Sequence, residues 1–188
     1  MANKKFNKIP GNIRKFYNYS FPKLAVLVTL LDKDKKPNII TLAWHSAISI
    51  KPPMYGISLD PRRYSHDPIL NTGEFVVNFC EMSIVDQVHY CGRHSGRRVN
   101  KFQETYLTQL PAQEVKPPLI GEAYSHLECK LVDHHMYGDH TWFAGEIVAV
   151  SCNESFEDDL IKDDVNPALY LGNNTYTSFD RKRKRFDK

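Results

Sequence analysis

Two long strand-type runs, SHLECKLVDHHMY (125–137) and HTWFAGEIVAVS (140–151), flank the dipeptide Gly138-Asp139. Glycine at the first position of a two-residue loop suits a type II′ turn, so a long antiparallel hairpin is expected here. Shorter runs repeat the pattern. LAVLVTLL (24–31) is rich in β-favouring residues, DKDKK (32–36) reads as a charged turn, and PNIITLAWHSAISI (37–50) continues as strand. MYGISL (54–59) and EFVVNF (74–79) add two more. Many strands with few intervening helices argue against a doubly wound parallel sheet and for an antiparallel barrel.

Helices are expected to be short and peripheral. HDPILNTG offers Asp67 as N-cap, Pro68 at the first helical position and Gly73 as the stop. SIVDQVHYCG opens with Ser83 three residues before Asp86, resembling a capping box, and halts at Gly92. NKFQETYL follows as a further helical segment. The expected fold is mainly β, one domain over residues 1–180, with short peripheral helices.

Charge excludes one function class. The formal net charge is +3, but the tail RKRKRFDK (181–188) holds six cations against one Asp, which leaves the remainder at −2. The basic character sits in an appendix expected to be disordered, and no nucleic-acid partner is expected of the acidic body. The longest apolar runs are too short to span a bilayer, and MANKKFNKIPGNIRKF has no apolar core of a secretory signal. A cytoplasmic location is expected. Cys80, Cys91, Cys129 and Cys152 lack metal-ligand spacing and are expected to be buried, reduced thiols; Arg93 could lower the pKa of Cys91, but burial without a reactive role is the expectation for it too. His134 and His135 are strand neighbours on opposite faces and cannot readily share an ion, so no metal site is expected.

Rossmann, phosphate-loop, GxSxG and HExxH motifs are all absent. Four segments carry candidate chemistry instead. In NIITLAWHSAIS (38–49), small side chains surround Trp44 and His45; the run is either a core strand or a backbone edge on which a flat heteroaromatic ring can lie. In LDPRRYSHDP (59–68), Arg62, Arg63, Tyr64 and Ser65 precede a helix start where a phosphate could bind, or form a solvated basic loop. CGRHSGRRVNKF (91–102) has three arginines, a lysine and a histidine but no carboxylate; Arg97 and Lys101 share a face if helical, as a phosphate clamp or a subunit contact. In YGDHTWF (137–143), His140 opens a strand, either as a structural or exposed histidine or, by its pKa range, as a donor to a ligand that changes charge.

In order and spacing, PNIITLAWHSAIS, PPMYGISLDPRRYS, EFVVNF, CGRHSGRRVNKF, LEC and GDHTWFAGEIV resemble the flavin reductase-like, FMN-binding split-barrel family, flavoredoxin-type members above all. The similarity spans about residues 20–172. It implies a Greek-key split barrel, a homodimer with FMN near the subunit interface, and electron flow from NADH or NADPH to flavin and then to a small-molecule or protein acceptor. It also implies that Asn38, Trp44, His45 and Ser46 border the flavin ring. Arg62, Tyr64 and Ser65 would hold the ribityl phosphate region, Lys101 would meet the phosphate with Ser95 and Arg97 in support, and His140 would sit by flavin and nicotinamide as the catalytic residue. Two departures stand out: His45 occupies a position that is often small, which would narrow the ring pocket, and the basic tail has no counterpart. An FMN-containing electron carrier that does not use NAD(P)H is the alternative.

Overall fold

The structure, a computed structural model, describes residues 9–157 and 160–179; the basic tail lies outside the described residues. Seven strands form the main sheet: β1 (Val26–Leu31), β2 (Pro37–Leu42), β3 (His45–Ile50), β4 (Pro53–Leu59), β5 (Glu74–Phe79), β6 (Ser125–Tyr137) and β7 (His140–Cys152). Their order is β2-β1-β5-β6-β7-β4-β3, with every neighbour antiparallel. Tyr137 pairs with His140 across Gly138, whose φ is 63°, so the long hairpin closes through the expected two-residue loop.

The sheet is curled. Val26, Val28 and Leu30 of β1 share one apolar cluster with Ile57 and Leu59 of β4, Phe75 and Val77 of β5, and Phe143 of β7. A flat sheet would hold β1 and β4 roughly 19 Å apart, four strand spacings, so contact across a common core requires a barrel. Bulges supply the bend: the β6–β7 register shifts at Ala144/Gly145 and Ile147/Ala149, and β3–β4 shifts at Ala47/Ser49. Gly145 is required where it stands, since a Cβ there would lie 2.7 Å from the Phe75 ring.

β1 is buried on both faces. Its alternate residue Leu27 joins Ala25 and Ile39 in a second core covered by Val88 and Cys91 of α2 (Val85–Arg93) and Phe102 of α3 (Lys101–Thr105). This double burial explains the near-continuous apolar run in LAVLVTLL, interrupted by Thr29 whose hydroxyl donates to the Pro118 carbonyl at 2.6 Å, each buried aliphatic side chain contributing about 1.5–3 kcal/mol. Polar groups inside are matched: Asn78 donates to the Leu27 carbonyl at 2.9 Å and accepts from the Ile120 N–H at 2.9 Å, and the fully buried Glu128 accepts N–H groups of Gln113 and Glu114.

Local expectations needed correction in several places. The run 37–50 is two strands, broken at Ala43-Trp44, and Lys23–Leu24 leaves β1 to pair with Leu169–Gly172. Ser65 rather than Asp67 holds the N-cap position of the helix α1 (His66–Thr72), without a capping side-chain hydrogen bond, although Gly73 does end it in the left-handed region at φ 67°. Ser83 lies inside a 3-10 turn, Met82–Ile84, and α2 continues past Gly92 to Arg93. Gly92 is there for approach, not termination: a Cβ would sit 3.3 Å from Thr41 Cβ. Cys152 is exposed, unlike the other three thiols. No helix among the described residues is long and apolar enough to cross a membrane, and no side-chain cluster among them could hold a metal ion.

Candidate functional site

A cavity of about 400 Å³ lies where β2 and its continuation through Ala43-Trp44 meet the 60–65 loop, the end of α2 and the start of α3. Its two ends differ. Near one end the buried Lys101 side chain donates to the carbonyls of Ile39 and Cys91, both at 2.7 Å. The Cys91 carbonyl belongs to the last turn of α2, where intrahelical partners run out, so Lys101 caps that helix with a charge of the favourable sign. Two of three N–H donors are used, which leaves one for a further acceptor. Burial pulls the Lys101 pKa down to about 8, with the nearby Arg63 charge acting in the same direction and Cys91 opposing.

The other end is aromatic. The Trp44 and His140 rings lie 4.8 Å apart and tilted by 36°, and His140 Nδ1 pairs with Asp139 at 2.8 Å. Trp44 follows Ile39 by five residues of mostly extended chain, so roughly 16 Å separate the cationic end from the aromatic one. Thr41, Leu42 and Ala43 line the floor between them.

Three further contacts shape the cationic end. Asn38 donates to Ser65 Oγ at 2.9 Å, joining β2 to the loop before α1. The Arg97 guanidinium lies over the Tyr64 ring at 5.7 Å, while the Tyr64 hydroxyl donates to Asp32 at 3.2 Å. Gly96 permits this closeness, because a Cβ there would fall 2.2 Å from Asn38 Oδ1 and 2.9 Å from the Tyr64 ring.

Trp44, Tyr64, Ser65, Lys101 and His140 all line the cavity. Asn38, Ser95 and Arg97 stand behind it: Asn38 through Ser65, Arg97 through Tyr64, and Ser95 by accepting the Arg97 N–H at 3.3 Å. Arg97 is not helical, so it shares no helix face with Lys101. Arg62 is turned to solvent and forked onto Asp60, which its hydrogen bonds hold far below the usual carboxylate range; Arg63 lines the cavity in its place. The signal was present in Asp60-Pro61, a turn start that leaves Arg62 on the outer corner. His45 and Ser46 line a different, smaller cavity. His45 bonds the Tyr55 hydroxyl at 2.7 Å and the Leu24 carbonyl at 2.9 Å, so it does not narrow the larger one. Arg93, His94 and Gly92 come from the end of α2, and Tyr170, Asn174 and Tyr176 from a C-terminal hairpin that sequence reasoning had not nominated. Cys91, whose pKa Arg93 could have lowered, is instead pushed up to about 11 by burial.

A family profile described as the flavin reductase like domain matches residues 18–179. The chain belongs to the flavin reductase-like family. Its barrel is the split barrel of solved flavin-protein structures. One is an FMN-binding protein from Thermus thermophilus with bound 1-cyclohex-2-enone: 28% identity, TM-score 0.83, covering 97% of this chain and 99% of that one. Another is flavoredoxin of Desulfovibrio vulgaris (Miyazaki F), 28% identical with a TM-score of 0.81, covering 88% of this chain and 91% of that one. More distant is an NADH-dependent FAD reductase of Streptomyces globisporus, 27% identical over 133 residues, 70% of each chain.

Proposed function

We propose that this flavin reductase-like protein binds FMN in the larger cavity and acts as an NAD(P)H-dependent flavin oxidoreductase. The observation that carries the reading is the cavity's polarity. Arg63, Arg93 and Lys101 form a cationic end suited to a phosphate, and the backbone under Trp44 and His140 forms an end suited to a flat ring. The chemistry a bound flavin would supply there is hydride and electron transfer. The chain's residues hold and orient. Lys101 and Arg63 meet the phosphate, Ser65 is fixed for it by Asn38, and Trp44 covers the ring end against water. His140, oriented by Asp139, stands where a donor could steady charge arising on the ring's edge.

Purified protein should absorb as an oxidised flavoprotein or take up added FMN at micromolar concentration; failure to do either overturns the reading. Loss of the flavin's visible absorbance on mixing with NADH or NADPH in a stopped-flow instrument tests the enzyme assignment. Absence of that bleaching, with FMN bound, would leave the electron-carrier reading that the flavoredoxin relative favours.

We further infer a homodimer, because Ile48 and Ile50 on β3 and Val132, Met136 and Tyr137 on β6 are exposed apolar side chains of a kind buried when subunits pair. Light scattering should give twice 21.8 kDa. The buried, unpaired thiols suit a reducing cytoplasm.

A further inference from the structure

Behind Trp44 lies a second cavity, of about 280 Å³, that the flavin assignment leaves unused. It shares Trp44 and Ser58 with the larger cavity and is walled by Phe16, Tyr17 and Trp142. Phe16 and Tyr17 reach it from a 3-10 segment, Ile13–Ser20, with ring centroids 6.2 and 6.3 Å from that of Trp44. Trp142 lies flat against β4, where Gly56 makes room: a Cβ at Gly56 would fall within 2.0 Å of the indole. Three sides of the space are thus aromatic. Phe16 nonetheless remains 59% exposed, an apolar ring that a ligand would cover.

The charge of the lining has one sign. No lining residue is acidic, and Lys23 makes no ion pair among the described residues. His45, also in the lining, has both ring nitrogens engaged: Nε2 donates to the Leu24 carbonyl at 2.9 Å and Nδ1 pairs with the Tyr55 hydroxyl at 2.7 Å. Burial, the largest influence, and the neighbouring Lys23 charge lower its pKa and favour the neutral imidazole, while the bond to the Leu24 carbonyl acts the other way. Among the described residues, Lys23 is the one standing charge of this cavity.

We propose that the second cavity is a binding site for a planar aromatic carboxylate, its ring held among Trp44, Trp142, Phe16 and Tyr17 and its carboxylate met by Lys23. Ring faces on three sides select a flat apolar body, and a single unpaired ammonium selects one negative charge. The volume admits one or two fused rings, well short of a dinucleotide.

The test uses a feature of the sequence: the chain has two tryptophans, and both line this cavity. Tryptophan emission of the full, flavin-free chain should change saturably on titration with benzoate. Benzyl alcohol, which keeps the ring and lacks the charge, should bind roughly tenfold or more weakly, the fold-change of one charge-assisted contact. Lys23→Met should abolish the preference, lowering benzoate affinity by that factor and leaving benzyl alcohol where it was. Lys23→Gln, checked by circular dichroism, gives the same reading should the methionine variant fold poorly. No saturable change up to ~10 mM, equal affinity for both ligands, or a preference surviving both Lys23 variants would each overturn the proposal. Flavin absorbance is not used, so failure of FMN to bind leaves this test intact, and FMN affinity should be unaltered in Lys23→Met.

Discussion

The Nζ of Lys101 and the carbonyl oxygen of Cys91 lie 2.7 Å apart, a hydrogen bond that joins the start of α3 to the last turn of α2. The amine that would meet a phosphate is therefore also a structural pin. Lys101→Met should lower stability by about 1–3 kcal/mol, since it leaves two buried carbonyls without their donor. It should also weaken FMN binding roughly tenfold or more. Because the Lys101 pKa sits at about 8, FMN affinity of the wild type should fall as pH rises from 7 to 10. An affinity independent of both the substitution and the pH would show that the amine does not face the ligand.

Gly96→Ala should be costly out of proportion to one methyl group. The added carbon would meet Asn38 Oδ1 at 2.2 Å and the Tyr64 ring at 2.9 Å, so the 94–97 segment must back away from β2. Strain of about 1–3 kcal/mol is expected. FMN affinity should drop by at least tenfold, read by recovery of free-flavin fluorescence. A variant binding FMN as tightly as wild type would mean this segment takes no part in the site.

His140→Gln separates holding from reacting. The ring touches Trp44 and Asp139 and makes no contact with the cationic end, so FMN affinity should change by less than about threefold. The rate of flavin bleaching by NAD(P)H should fall roughly a hundredfold, the lower end of the range for one lost charge-stabilising donor. A wild-type bleaching rate would remove His140 from the reaction.

Alkali should unfold the protein before it would unfold an average barrel. Burial raises the pKa of Cys91 to about 11 and of Cys80 and Cys129 to about 12, from a usual value near 9. Raised folded values mean stability that is whole below pH 9 and is lost as pH climbs through the folded values. Lys101 works the other way, its depressed folded value adding stability between about 8 and 10.5, but it is one group against three. The urea midpoint should therefore be lower at pH 10.5 than at pH 8, and Cys129→Ala should narrow that difference. Equal midpoints would contradict the assigned thiol burial.

The sequence was most legible where one residue type decides geometry. Gly138 announced the long hairpin, and the apolar runs of β1 and β5 announced buried strands. The break at Ala43-Trp44 was not legible, because the apolar pattern runs straight through it. Only the change of partner, from β1 beside β2 to β4 beside β3, reveals it. Within the site, residue class was easier to read than direction. The basic loops were evident, but whether Arg62 or Arg63 faces inward depends on a turn corner, and His45 points away because Tyr55 and Leu24 offer both ring nitrogens a partner. Tyr170 and Tyr176 went unnominated, though Gly172-Asn173-Asn174, all at positive φ, marked the hairpin that presents them.

Asn38, Ser65, Gly96 and Lys101 come from three separate segments, and the hydrogen bonds from Asn38 to Ser65 and from Lys101 to the Ile39 carbonyl reach across 27 and 62 residues. The stretch CGRHSGRRVNKF carries most of the charge yet none of the shape on its own. Its lysine is aimed by a strand carbonyl far upstream, and its glycine matters because an asparagine of that strand and the Tyr64 ring are already there. The segment is thus not portable: grafted onto another scaffold, it would bring cations without a cavity. A protein designer who wanted this site would have to borrow the barrel with it.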